Sequence, residues 1–164
     1  MKLRRVIDKT LFWLLVVLMG LMVINVLWQV ASRFILQSPS SFTDELSRYL
    51  LIWVGILGAS YVTGQKMHLA IDIFPNSLKG KKQRRLNIFI NIVVALFAFF
   101  AMVWGGFNLM YITLKLEQTS ASLGIPLGYV YMVIPLSGLL IIYYSIVNLF
   151  EKNTEPEELG ETLA

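Results

Sequence analysis

Charged residues divide the chain into four long uncharged stretches. They cover residues 10–32 (23 residues), 49–65 (17), 86–114 (29) and 118–150 (33). A membrane-spanning helix needs about 20 predominantly apolar residues, within a range of about 17–25. The second stretch sits at the lower limit, so its helix is expected to begin earlier, near Phe42. The third is long enough to tilt or to project beyond the lipid. In the fourth, residues 118–124 are polar and read as loop, and Pro126 suits a first helical position. The predicted spans are 11–34, 42–65, 86–114 and 126–150, between a tail at 1–10 and an acidic tail at 151–164. The fold class is therefore an all-α integral membrane protein with four transmembrane helices.

Charge sets the expected orientation. The segments before span 1, between spans 2 and 3, and after span 4 hold eleven Lys and Arg; the other two connections hold three. The positive-inside rule places both termini in the cytoplasm, and the acidic C-terminal tail does not alter this because carboxylates contribute little to it. Composition agrees with a membrane protein: 57% of residues are hydrophobic and 15% charged, against about a quarter charged in soluble domains. The first stretch is longer than the roughly 7–15-residue core of a secretory signal and reads as an uncleaved anchor. No internal repeat of the kind that builds inverted-repeat transporters is evident.

Small residues mark faces where helices can approach closely. Span 2 carries Gly55, Gly58 and Ala59, span 3 carries Ala98, Ala101 and Gly105, and span 4 opens with Gly124 and Gly128 and continues with Ser137, Gly138 and Ser145. These faces serve packing within the chain or against a partner. Pro135 is expected to kink span 4, because it removes an i→i−4 hydrogen bond. Before span 2, Ser41 with Asp44 gives a capping-box pattern. Asp44 and Arg48 are placed to pair, and Glu45 shares a helical face with Tyr49 and Trp53. A carboxylate at the lipid boundary is costly unless paired, and Arg33 is its expected partner. This cluster either fixes spans 1 and 2 or contacts another subunit. An ion pathway is disfavoured because the span centres contain no acid or base.

The segment between spans 2 and 3 starts with an apolar stretch expected to lie in the membrane interface. A basic cluster follows, Lys79 to Arg85, suited to anionic lipid headgroups. The apolar stretch contains the single histidine, His68, which reads as structural; zinc and bis-histidine haem both need more ligands. Cysteine is absent, which removes thiolate chemistry. No nucleophile–base–acid constellation and no phosphate-binding glycine loop are present. The basic residues lack the pattern of a nucleic-acid surface. The chain does not read as an enzyme.

The motifs together resemble the small membrane subunit of tripartite ATP-independent periplasmic (TRAP) transporters, the DctQ/SiaQ-like family. The resemblance runs from span 1 to span 4. It is carried by Trp28-Gln-Val-Ala-Ser-Arg33-Phe34, by Asp44-Glu45-Leu-Ser-Arg48-Tyr49, and by Trp53-Val-Gly55-Ile-Leu-Gly58-Ala59. Lys66-Met-His68-Leu with Asp72 and Pro75, the stretch from Gln118 to Pro126, and Tyr131-Met-Val-Ile-Pro135 complete it. The nearest variety is the sialic acid type.

The resemblance implies a large membrane subunit as a separate chain carrying the substrate and sodium sites, and a periplasmic binding protein delivering an organic acid. The present chain would then hold no cofactor and would scaffold the static part of its partner in the inner membrane. Arg33, Glu45, Arg48 and His68 would fix local geometry, and Trp53 and Gly58 would pack. Two other classes stay open at this point. A self-contained four-helix exporter would need a membrane-embedded acid, and an anchor for a redox or enzyme complex would need axial ligands on facing helices.

Overall fold

The computed structural model describes residues 2–37, 40–65 and 81–150. Six α-helices and one π-helical turn make up the four crossings. Helix α1 (Lys2–Phe34) and helix α2 (Ser41–Gly64) are spans 1 and 2. Span 3 is α3 (Lys81–Phe97), a π-helical stretch (Ala98–Trp104) and α4 (Gly105–Lys115) in continuous succession. Span 4 is the short α5 (Leu127–Tyr131) followed by α6 (Val133–Phe150). Among the described residues, four helical stretches are long and apolar enough to cross a membrane: Arg4–Phe34, Ser41–Gly64, Arg85–Lys115 and Leu127–Leu149. The chain is an all-α membrane protein of four spans.

Several local expectations change. Helix α1 begins at Lys2, well before residue 11, because a helix continues through the headgroup region once its backbone bonds have formed. The basic stretch from Lys81 to Arg85 is the opening of α3 rather than loop. His68, Asp72, Pro75 and Lys79 lie outside the described residues. Helix α2 starts at Ser41 with Ser40 at the N-cap, and Ser40 makes no side-chain cap. The capping box expected from Ser41 and Asp44 is therefore absent: Ser41 lies inside the helix, and Asp44 turns to Gln29 and Arg48 instead. Pro126 occupies the N-cap with ψ 124° and precedes the helix rather than opening it. Gly124 stands in the loop before α5 at φ +65°, a conformation that glycine adopts without steric cost.

The expected kink in span 4 is a break at Met132, between α5 and α6. Pro135 has no N–H to give Tyr131, and the next bond, from Leu136 N–H to the Met132 carbonyl, is stretched to 3.4 Å. The neighbouring Val130 carbonyl accepts instead from the Trp53 indole N–H at 3.1 Å. A side chain from span 2 thus satisfies a backbone group beside the break. The π-helical stretch of span 3 packs against α6. It approaches span 4 at Gly138, where an added Cβ would lie 2.8 Å from Met102 Cβ and 3.2 Å from the Ala98 carbonyl oxygen. Nothing in the hydrophobic pattern announces this extra-wide turn.

Packing orders the spans as a row. Among the described residues the main contacts join span 1 to span 2, span 2 to span 4, and span 4 to span 3. The apolar core gathers Leu11, Leu57, Val133 and Tyr144, with Ile7, Leu15, Ile52 and Trp53 around it. Span 1 is buried sparsely, at Leu11 and Ser32, and the rest of its length offers Val, Ile, Leu and aromatic side chains outward. Such a surface suits lipid or a membrane partner rather than water.

Candidate functional site

The side-chain hydrogen bonds between helices form two clasps at opposite ends of the spans, with a serine pair between them. At one end, Asn25 of α1 donates to the Thr43 carbonyl at 2.8 Å and to Ser47 Oγ at 2.7 Å. One turn on, Gln29 donates to Asp44 Oδ1 at 2.9 Å. Asn25 and Gln29 are four residues apart and so share one face of α1. They bind the start of α2 along its side. Asp44 also accepts from Arg48 at 2.5 Å, an exposed i,i+4 pair worth a few tenths of a kcal/mol, on the order of 0.3–0.5.

Glu45 does not pair with Arg33. Its Oε2 accepts from the hydroxyl of Ser120 and from the backbone N–H of Ser122 at 3.0 Å, both in the connection between spans 3 and 4. Ser120 is buried, and its oxygen accepts in turn from the Leu123 N–H at 3.1 Å. Arg33 was the expected partner from its place at the end of span 1, whereas the row of helices sets the start of α2 against the 116–126 loop. Arg33 is exposed and forms no ion pair among the described residues. It borders an open cleft with Gln29, Ser40, Ser41 and Asp44.

The opposite end holds a second clasp. Arg4 donates to the Gly64 carbonyl at 2.5 Å and faces Asp8 at 3.8 Å. Helix α2 ends at Gly64, where the last carbonyls have no intrahelical donor, so a guanidinium there satisfies both a hydrogen bond and the negative end of the helix dipole. Asp8 accepts from the Tyr144 hydroxyl at 2.6 Å, and Asn148 donates to the Thr63 carbonyl at 3.2 Å. Spans 1, 2 and 4 are thereby tied together. Reading the sequence missed this group. The available signal was Asp8, the only acid in the basic segment before the first uncharged stretch and four residues from Arg4.

Between the clasps, the Ser60 and Ser137 hydroxyls lie 2.5 Å apart, and Ser137 Oγ donates to the Ile56 carbonyl at 2.9 Å. Both serines are fully buried. Gly55 and Gly58, expected to pack, have no heavy atom within 4 Å of where a Cβ would lie, and Ala59 is exposed. Among the described residues no group of three or more His, Cys, Asp or Glu is placed to hold a metal ion. Every described ionisable Lys, Arg, Asp and Glu belongs to an end of a span or to a connection.

Comparison with known families points to a transporter subunit. The family model described as "Tripartite ATP-independent periplasmic transporters, DctQ component" matches residues 22–154. The chain belongs to this family. As a DctQ-family protein it is a transporter subunit and not an enzyme. A Haemophilus influenzae relative, provisionally described as a TRAP transporter small permease protein, is 30% identical over 135 residues, 82% of each chain. The sialic acid TRAP transporter small permease protein SiaQ of Vibrio cholerae is 27% identical over 138 residues, 80% of this chain and 79% of its own. The isethionate TRAP transporter permease protein DctMQ of Oleidesulfovibrio alaskensis is 26% identical over 102 residues, 62% of this chain but 16% of its own. The family match takes in α1 from Met22 onward and the whole of spans 2, 3 and 4.

Proposed function

We propose that this chain is the small subunit that holds the static part of a large transport subunit in the bilayer of the inner membrane. The large subunit is a separate chain; it carries the substrate and couples uptake of an organic acid to sodium. Both termini of the small subunit lie in the cytoplasm, as the distribution of eleven Lys and Arg against three favours. The stretches 33–48 and 115–125 then face the periplasm and help receive a soluble binding protein.

The observation that carries this reading is the unused side of span 2. Its Gly55 and Gly58 are open, although close backbone contact is what such residues provide between membrane helices. An oppositely placed side of the same helix, with Leu57, Ser60, Thr63 and Gly64, is buried within the chain. A helix with one side satisfied and a small-residue side open suits a second protein in the membrane. The longer isethionate relative, in which the matching stretch is one part of a larger permease chain, supports a lasting association of this kind. The substrates named for relatives differ, sialic acid for one and isethionate for another; both are organic acids, and that class is the extent of the substrate proposal.

The test is reconstitution. The large subunit, with and without this chain, is placed in proteoliposomes with its binding protein and a sodium gradient. Uptake is expected only when both membrane chains are present. Equal uptake by the large subunit alone overturns the scaffold reading.

A further inference from the structure

We infer that the 116–126 loop is a preformed docking edge for the soluble binding protein and that Glu45 is the residue that positions it. The inference rests on the periplasmic orientation and docking proposed above.

Connections between helices are usually the mobile parts of a protein. This one is held at almost every turn. Gln118 N–H donates to the Thr113 carbonyl at 3.1 Å, Ser120 N–H to Ile125 at 2.9 Å, Gly124 N–H to Ser120 at 3.0 Å, and Leu127 N–H to Gln118 at 2.9 Å. Thr119 and Pro126 face each other as an antiparallel bridge. Glu45 adds a hold from a different helix, through the Ser120 hydroxyl and the Ser122 N–H. Glu117 sits at φ 49°, a left-handed conformation that costs free energy for a residue with a side chain. Glu117 is the C′ residue of α4, and its N–H donates to the Leu114 carbonyl at 3.1 Å and closes the helix end.

The inner side of the loop is Ser120, buried against Glu45. The outer side is Lys115, Glu117, Gln118, Thr119 and Ala121, all exposed. Lys115, the last residue of α4, and Glu117, Gln118 and Thr119 just past it place two opposite charges and two polar side chains beside the exposed Leu116 and Ile125, a mixed surface that suits contact with a soluble protein. A loop already fixed in its bound shape loses less conformational freedom on association. Of the outer residues Glu45 engages the backbone of Ala121 and not an outer side chain, so it acts through the loop's shape.

The experiment uses the full chain assembled with its large subunit in proteoliposomes, with uptake measured against the concentration of the binding protein. Glu45→Ala is expected to raise the half-maximal concentration about tenfold while maximal uptake stays within about twofold, the loss of a preorganised edge appearing in affinity. Glu45→Gln keeps a side-chain carbonyl that accepts from Ser120 and Ser122, and is expected to recover most of the affinity. Amide exchange at Ser122 and Leu123 should quicken in Glu45→Ala and not in Glu45→Gln. Glu117→Lys, on the outer side, should raise the half-maximal concentration with the complex intact. An unchanged half-maximal concentration in Glu45→Ala and Glu117→Lys, or a fall in maximal uptake alone, overturns the inference. Where Glu45→Ala prevents assembly, Glu117→Lys carries the test, and its unchanged affinity overturns it. If the large subunit alone reaches the same maximal uptake but needs more binding protein, the scaffold reading fails and docking stands; if it needs no more, both fail.

Discussion

Spans 2 and 4 both carry glycines among apolar residues, and Gly55 and Gly58 of span 2 have surroundings opposite to those of span 4, whereas Gly64 at the end of span 2 is packed against Tyr144. In span 4, a Cβ on Gly138 would meet Met102 Cβ at 2.8 Å and Val103 Cγ2 at 2.9 Å, so the glycine is what lets the π-helical stretch of span 3 come close. Gly106 on span 3 plays the reciprocal part, with Pro135 Cδ 2.8 Å from its missing Cβ. In span 2, Gly55 and Gly58 meet nothing within 4 Å. The residue type is the same and its use is not. Lipid offers no hydrophobic drive for helices to associate, so close packing of small residues has to supply it. Where the chain has spent that packing internally, the glycines cannot be enlarged. Where it has left them open, enlargement costs the chain itself nothing.

The sharpest way to break the contrast is Gly138→Leu. The nearest obstacle is a Cβ atom rooted in the backbone of span 3, not the tip of a flexible side chain. The substitution should cost about 3 kcal/mol, the upper end of overpacking penalties, read as a loss of folded fraction in denaturant titrations of the purified chain in micelles. A cost below about 0.5 kcal/mol would mean that spans 3 and 4 slide apart easily, and the contrast with span 2 would disappear. Gly55→Leu is the matched control. Its effect on the stability of the isolated chain should stay within about 0.5 kcal/mol. Its effect on association with the large subunit should be large, about a tenfold weakening or roughly 1.4 kcal/mol, measured by co-purification at graded subunit concentrations. Undiminished co-purification would show that the open side faces lipid.

This difference between equivalent-looking glycines shows what a sequence discloses and what it withholds. Spans, their number and the loops between them follow from where charges stop, because the cost of a charge in hydrocarbon is a local property. The Asp44–Arg48 pair was legible for the same reason: i,i+4 spacing on a helix fixes neighbours without knowledge of the fold. Glu45 was legible as a residue needing a partner, but its partner was not. Ser120 stands 75 positions away, and only the order of helices in the row decides that it arrives. The Arg4–Asp8–Tyr144 clasp has a local half, Arg4 with Asp8, and a distant half 136 positions away, Asp8 with Tyr144. The π-helical stretch left no trace in the pattern, and its close approach to Gly138 involves a residue on another span. Gly55 and Gly58 were singled out together with the glycines of span 4, and periodicity alone could not say which set the chain itself would use.

A smaller substitution asks what holds the packed side of span 2, the counterpart to its open side. There the serine pair lies between the two spans: Ser60 and Ser137 hydroxyls at 2.5 Å, with Ser137 also donating to the Ile56 carbonyl. Two explanations compete, hydrogen bonding and close contact between small side chains. Interhelical hydrogen bonds in membranes average about 0.6 kcal/mol, with a maximum near 1.7, because the separated helices find other partners for the same groups. Ser137→Ala removes the donor to Ile56 and one partner of Ser60, and Ser60 retains the Ile56 and Ser137 carbonyls as acceptors, each at 3.3 Å. Nothing polar is left stranded and the volume barely changes. The expected loss is therefore about 0.6 kcal/mol, far below that of Gly138→Leu, in the same micellar unfolding titration. A loss above about 2 kcal/mol would assign the cohesion of spans 2 and 4 to hydrogen bonding, and an open side lacking such groups, as at Gly55 and Gly58, would then be a weak basis for holding a partner. A loss near the expected value leaves packing as the main adhesive, which is the property that the open side of span 2 has to offer.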